Sequence, residues 1–488
     1  MHISDVRKFL RCPRMYQYSL TDNQKSFPFF NIICDTDESI INKLNIKDYY
    51  LGQVNETNED TLKGLSEHNW LVKARFSYRG LRCRVPFLYH EGDRCDLYFS
   101  SLTLNPTDGE TDNILWTASV VEKCGLTIDN IYIIYLNKEY VRHGELEHDK
   151  LWSITDSFFN ANGHASKNIL GHIRKQTFSI DLVLDQLLHF DNEYDDTEVM
   201  RTSKCTGRSK CRYYERCFPE EKDMPDNSIL TLVGSQYKYD MYRNGIRYLA
   251  DVNLDRFEGS AQQYAQIMAD KNNGLFFDKV ALNSWLNDQT EYPLSFIDFE
   301  WDLYPIPPFD NMRPMEVLPF QYSLDIMQSD GSISHHEFIG ERDCRQKFVE
   351  NMLNDLPDHG TIFAYNALGA EVLRLKELSE QFPEYSDKLM AAAGRFVDLA
   401  MPFINGVVYH TGMRGLYSLK VIQSIIDKER SYHDLQVENG LDAVSIHRKI
   451  EHIDDHELKR EYYDELYKYC GLDSYALVEV YDKLKSLV

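Results

Sequence analysis

Residues 294–301 read LSFIDFEW, and the reading of this octapeptide decides the second half of the chain. In an extended strand successive side chains point to opposite faces, so Asp298 and Glu300 share one face. Phe296, Ile297 and Phe299 interleave with them, which predicts a buried strand. Two carboxylates side by side on a buried face repel each other, and a divalent cation between them removes the penalty. Hard ions such as Mg²⁺ or Mn²⁺ prefer such oxygen ligands. The competing interpretation is an edge strand whose acids face water.

The segments that follow are read in order. FQYSLDIM (320–327) and HHEFIG (335–340) predict two more strands, joined by the turn SDGS (329–332). DCRQKFVENMLNDL (343–356) repeats apolar residues at helical spacing, TIFAYN (361–366) is a short strand, and the remainder is mainly helical. Strands first and helices later predict a mixed sheet flanked by helices, an α/β (mixed α+β) fold. His335 and His336 are adjacent on a predicted strand, point to opposite faces, and are read as structural.

Two further segments carry carboxylates. In TIFAYNALGAEVLRLKEL (361–378) a strand runs into a helix, and Glu371 falls in the first helical turn. In YKYCGLDSYALVEVYDKL (467–484), Tyr469 and Asp473 stand four apart and share a helical face. D-x-E on a first strand, N-A and an acid opening a helix, and Y-x3-D on a late helix resemble the three motifs of DEDD exonucleases of the Tyr-bearing subtype. The His subtype would have His where Lys468 stands.

Taken in series, FIDFEW, RPMEVLPFQYSLDI, AYNALGAE, RFVDLAMPF, VVYHTGMRGLYSLK and YCGLDSYAL resemble an uncharacterised bacterial family. That family joins a RecB-like iron–sulfur module to a DEDD (DnaQ-like, RNase H-like) exonuclease module. The resemblance implies that Asp298, Glu300, Glu371 and Asp473 hold two Mg²⁺ or Mn²⁺ ions. It implies that Tyr469 orients the attacking water, and that the reaction is 3′→5′ phosphodiester hydrolysis on DNA or RNA. One departure stands out. The usual acid falls four residues after Asn, whereas Glu371 falls five after Asn366, where Ala370 takes the usual place. Asp398, in RFVDL, is the substitute ligand, although a hydrogen-bonding role for it is the commoner one. Arg313, Gln321 and Lys420 are candidates for phosphate or base contact, with surface or structural roles as the alternative.

The first half carries a different signal. In KCTGRSKCRYYERC (204–217), Cys205, Cys211 and Cys217 recur with five residues between each pair, and Cys12 stands far off in RKFLRCPRMY (7–16). This is wider than the C-x2-C knuckle of structural zinc. It suits a larger object such as a 4Fe–4S cluster, with structural Zn²⁺ or free thiols as the alternatives. Lys204, Arg208, Lys210, Arg212 and Arg216 would offset thiolate charge or meet nucleic-acid phosphate. An R-x-C-P segment with three distal cysteines is similar to iron–sulfur nucleases of the RecB and Cas-four type, which have a PD-(D/E)XK fold. The catalytic acids and lysine of that family are missing. Pro86 stands at the first acidic position, and Phe99 and Ser101 stand at the Glu and Lys positions. The resemblance therefore implies a module that keeps its cluster and has lost its own nuclease chemistry.

At 488 residues the chain is long enough for two or three domains. The expected division is 1–224 (iron–sulfur module), 225–290 (helical connector) and 291–488 (exonuclease-like module). A net charge of -24 argues against a protein that coats nucleic acid but permits an enzyme whose metals set the local sign. No apolar run is long enough to span a bilayer, and the N-terminal stretch has no signal-peptide pattern. The expected setting is the cytoplasm, without a membrane partner. The competing functional reading is a catalytically inactive nucleic-acid-binding or regulatory protein that carries an iron–sulfur cluster.

Overall fold

The computed structural model describes residues 1–22, 28–193, 201–206, 210–221, 223–235, 237–427, 437 and 439–488. The chain is mixed α/β and divides into two compact units. One comprises Met1–Cys217 with Tyr304–Glu316, and the other Phe218–Leu303 with Val317–Val488. The stretch 225–290, expected to be a separate connector, thus groups with the C-terminal residues, and 304–316 groups with the N-terminal ones.

The first unit opens with two short helices, α1 (Ile3–Arg11) and α2 (Pro13–Thr21), which meet at Cys12. Cys12 is extended, closes α1 and immediately precedes Pro13, whose fixed φ suits the first turn of α2. Beyond them lie strand β1 (Tyr50–Leu51), helix α3 (Asn58–Glu67), strands β2 (Trp70–Tyr78), β3 (Leu81–Glu91) and β4 (Arg94–Ser101), helix α4 (Thr111–Lys123), and strands β5 (Asn130–Leu136) and β6 (Trp152–Thr155). All six strands form one sheet in sequential order. β2, β3 and β4 are antiparallel neighbours, and β4 and β5 are parallel, with α4 in the crossover. The β3–β4 turn falls at Glu91-Gly92-Asp93, as expected, and Gly92 supplies the positive φ of 59° that the tight reversal needs. The apolar face of the sheet (Leu71, Ala74, Phe76, Leu88, Leu97, Ile131) packs on α1 and α4 through Val6, Phe9, Trp116 and Val120.

In the second unit, the stretch expected to be helical, 225–290, is interrupted near its start. The helix there, Lys238–Arg243, stops at Asn244, because Gly245 turns the chain with φ +93°. Helices α5 (Ala261–Lys271) and α6 (Lys279–Gln289) follow. Next come β7 (Leu294–Leu303), β8 (Val317–Met327), β9 (Ile333–Ile339), helix α7 (Arg345–Asp355), β10 (Ile362–Ala364), helix α8 (Glu371–Gln381) and β11 (Phe396–Asp398). The chain closes with α9 (Leu419–Ile426), α10 (Gly440–Ile450) and the long α11 (His456–Ser486). β11 and a further short strand, Val408–His410, interrupt the stretch expected to be mainly helical.

The five-stranded sheet has the order β9–β8–β7–β10–β11. β7, β8 and β9 are antiparallel in turn, while β10 and β11 run parallel to β7. One face carries Leu294, Phe296 and Phe363 against Ala476, Leu477, Val480 and Tyr481 of α11. The other carries Ile297, Phe299, Tyr322 and Leu324 against α7 and α8 through Phe348, Met352, Leu375 and Leu378. The two-residue period of β7 therefore divides its side chains between two cores, and it leaves Asp298 and Glu300 on the face that α11 covers. His335 and His336 do point apart, to Asp325 (2.9 Å) and Asp355 (3.4 Å) respectively.

Candidate metal centre

Asp298 and Glu300 on β7 and Asp473 on α11 each offer a carboxylate oxygen, and the three atoms lie within 4.8 Å of one another. Among the described residues this is the group of metal-capable side chains that closes so tightly. Glu300 and Asp473 are buried. Asp298 keeps partial solvent access, but its carboxyl is densely surrounded.

The charge has an energetic consequence. At an effective dielectric near 20, two unit charges about 4.8 Å apart repel by roughly 3.5 kcal/mol, so three ionised carboxylates store on the order of 10 kcal/mol. That rivals the whole stability of a typical domain, about 5–15 kcal/mol. The metal-free site relieves the repulsion by holding protons. Burial and then Asp473 push Asp298 well above the carboxylate range, and burial and then Asp473 push Glu300 up to about 8. A bound divalent cation relieves the same repulsion.

Glu371 opens α8 and is buried. Its carboxyl reaches the backbone amide of Phe299, between the two acids of β7, and its Oε2 has no hydrogen-bond partner. Burial, and then Asp398, push it up to about 8, and its charge acts on both Asp298 and Glu300. It is not part of the tight trio. The extra residue in its motif is absorbed by a wide turn. Asn366 takes a left-handed φ of 57°, and Val372 N donates to Ala367 O at 3.0 Å, five residues back. Asp398 serves that turn, its Oδ1 accepting from the amides of Asn366 and Ala400, each at 2.9 Å.

Tyr469 is one helical turn before Asp473 and is buried. Lys420, on α9, donates to its hydroxyl at 3.0 Å, and the ammonium sits 4.5 Å from the ring centre. Lys420 also draws the ionisation of Glu300 downward, so its charge faces the acids. Burial and the nearby carboxylates, Asp473 first, hold the Tyr469 phenol firmly protonated. Gln321 pairs with Glu300 across β7 and β8, is fully buried, and donates to the Leu466 carbonyl at 2.9 Å. Arg313 is held by Glu316.

One residue beside this centre was not singled out in the sequence. Cys470 is buried, and its Sγ lies 3.8 Å from both the carbonyl and Oδ2 of Asp298. The available signal was its place between Tyr469 and Asp473.

In the first unit the structure brings the four cysteines together. Cys12, Cys205 and Cys211 all act electrostatically on Cys217, whose thiol is pushed up chiefly by burial, with Arg14 opposing. The joint between α1 and the cysteine loop is mutual. Arg11 donates to the Lys204 carbonyl (3.2 Å), Lys204 to the Leu10 carbonyl (3.4 Å), and the Arg216 guanidinium covers the Tyr18 ring at 3.7 Å. Among the described residues, no three of these thiols lie all within 4.8 Å of one another. Lys210 pairs with Glu215 (3.1 Å) and Arg212 with Asp22 (3.0 Å), while Arg208 lies outside the described residues. Pro86, Phe99 and Ser101 lie on β3 and β4, and the nearby Asp96 is engaged by Arg94 and Asn130.

Residues 295–418 match the model of a family described as a domain of unknown function (DUF2779). The matched span contains Asp298, Glu300, Glu371 and Asp398, and it ends before Lys420, Tyr469 and Asp473. No curated protein and no solved structure matches the chain.

Proposed function

We propose that the second unit is a metal-dependent nuclease, a 3′→5′ exonuclease of the DEDD type, Tyr subtype, acting on DNA or RNA. The observation that carries this reading is the closure of Asp298, Glu300 and Asp473 to within 4.8 Å, with Lys420 and Tyr469 beside them. The strand order β9–β8–β7–β10–β11, antiparallel on one side of β7 and parallel on the other, supports an RNase H-like sheet. The matched family of unknown function neither names nor excludes an activity.

The donor set fits hard divalent ions. It is all oxygen, it is buried, and Glu371 Oε2 has no partner of its own. Asp298, Glu300, Glu371 and Asp473 would hold two Mg²⁺ or Mn²⁺ ions, while Asp398 anchors the turn that leads into Glu371. When bound, the metals supply positive charge to the phosphate and acidify water. The protein does the rest. Tyr469, kept protonated and fixed by Lys420, orients the attacking water through its hydroxyl. Lys420 offsets the negative charge that gathers as the phosphodiester is attacked.

In the first unit we propose a 4Fe–4S cluster on Cys12, Cys205, Cys211 and Cys217, in a RecB/Cas-four-like module that no longer cleaves. A tetrahedral zinc would draw thiolates to about 3.8 Å of each other, given bonds of about 2.3 Å. The wider spacing of these thiols favours the larger cluster. A second reading, a non-catalytic nucleic-acid-binding or regulatory protein, draws on one observation, that Glu371 stands outside the tight trio.

The test uses anaerobically purified protein and end-labelled single-stranded DNA and RNA with Mn²⁺, Mg²⁺ or EDTA. Shortening from the 3′ end that needs metal and is lost in Asp298→Asn and Asp473→Asn is the expected result. Intact substrate with folded, cluster-loaded protein would turn the assignment to the binding reading.

A further inference from the structure

We propose that Arg75, Arg82 and Arg84 form a phosphate-binding face for the backbone of a single-stranded nucleic acid. The face belongs to the first unit and rests on neither the metal centre nor the cysteine cluster. Across β2 and β3, Arg75 stands directly opposite Arg84. Arg82 lies two residues from Arg84 on the same strand, so the three side chains share one face. The flanking Ala74, Phe76, Cys83 and Val85 turn into the core on the other face. Arg82 and Arg84 are exposed, and Arg75 is half-buried.

In a chain of net charge -24 a surface arginine has acids at hand. Arg79, in the turn between β2 and β3, is held by Asp181 at 3.2 Å and Asp185 at 2.7 Å. Arg75, Arg82 and Arg84 have no acid in ion-pair contact among the described residues. Arg75 Nε is closed to solvent and lacks a hydrogen-bond partner. Like charges directly opposite across two strands destabilise the pair, and a bound anion removes that cost. The three charges also converge on one point. His2 is bridged to Arg82 along the edge of β3. Its imidazole is held below the ordinary value, by burial first, and Arg82, Arg84 and Arg75 act in that direction against Asp5. Asp5 itself is engaged by the His2 amide at 2.8 Å and by Lys8 at 3.5 Å. A guanidinium presents paired N–H donors to two oxygens of one phosphate. Arg82 and Arg84 stand about 6.8 Å apart along β3, the order of the spacing between successive phosphates of an extended strand. An open sheet face with its charges so spaced suits a polymer backbone better than a compact anion.

The test is fluorescence anisotropy of a labelled single-stranded oligonucleotide, DNA or RNA, titrated with the full-length protein. EDTA is present throughout, which keeps the readout independent of the metal centre. Arg82→Ala with Arg84→Ala should weaken affinity about tenfold or more at moderate salt. The same variant should flatten the slope of log affinity against log salt by about 1.4, because two phosphate contacts are lost. Arg82→Lys with Arg84→Lys keeps both charges and should keep the salt slope. Both positions are exposed, so the variants should fold, and a melting temperature no lower than that of wild type verifies it. Equal affinity and equal slope in wild type and the double alanine variant would overturn the proposal. Inorganic pyrophosphate that binds wild type where the oligonucleotide does not would overturn the strand as ligand. Oligonucleotide binding with the expected slope change, but no metal-dependent cleavage, would support the face and strike the nuclease reading alone.

Discussion

At the scale of single residues, the centre is defined by charge confined where water is scarce. Glu300 and Glu371 rise to about 8 in the metal-free fold, against an ordinary value of 4.5. Between those values the folded chain holds protons that the unfolded chain has released. Their contribution to stability is thus fully present below about pH 4.5 and is lost as pH climbs toward 8. The metal-free protein should melt at lower temperature at pH 8 than at pH 5.5, and Mn²⁺ should raise the melting temperature more at pH 8, where protons no longer compete. Glu300→Gln should flatten the metal-free slope and stabilise the metal-free protein by several degrees. A melting temperature that rises with pH in the absence of metal would contradict this account. Tyr469→Phe removes the hydroxyl that Lys420 holds. Within the nuclease reading it should lower kcat on the order of 10²-fold with KM nearly unchanged, because the hydroxyl acts on water and not on substrate binding.

At the scale of elements, the question is what aims each acid. β7 does so by its two-residue period, and α11 by one helical turn between Tyr469 and Asp473. Both were legible in the sequence, because a periodic pattern fixes which side chains share a face. Glu371 was harder. Its direction depends on a wide turn with a left-handed Asn366, closed by an amide-to-carbonyl bond spanning five residues and anchored by Asp398, which contacts in space and not in sequence. Cys470 was missed for a similar reason. Nothing in its spacing marks the thiol itself, and only the packing of α11 on β7 reveals what it touches. The helical stretch expected over 225–290 is interrupted at Asn244-Gly245, where the positive φ of Gly245 follows the end of the helix Lys238–Arg243. The anchor role of Asp398 is separable from ligation. Asp398→Asn preserves an acceptor for the Asn366 and Ala400 amides, whereas Asp398→Ala leaves them unpaired at a cost of about 1–2 kcal/mol. Mn²⁺ affinity should survive in the Asn variant and fall in the Ala variant. Loss in both would make Asp398 a ligand.

At the scale of the whole molecule, the two compact units are built around separate sheets. The first is built on the sequential six-stranded sheet, the second on both faces of β7 and its neighbours. The first compact unit runs to Cys217, the last cysteine of the loop. The grouping of 304–316 with the first unit carried no sequence signal, since a loop between two strands is ordinarily assigned to the sheet it joins. Ile306, fully buried among Ile134, Leu136 and Trp152, explains the grouping, as do the Pro307 and Pro308 carbonyls that accept from Arg142. Separate cores predict separate losses. If Cys12, Cys205, Cys211 and Cys217 hold a metal cluster, Cys217→Ser removes a ligand that ties the far end of the first unit to α1 and α2, but it leaves the core of the second unit intact. Calorimetry of the full chain should then show one transition shifted down by many degrees and the other in place, with the Mn²⁺-dependent gain confined to the unshifted one. The visible absorption of the cluster should vanish in the same variant. Two transitions that fall together would mean that the units melt as one, and an unchanged spectrum would remove Cys217 from the ligand set.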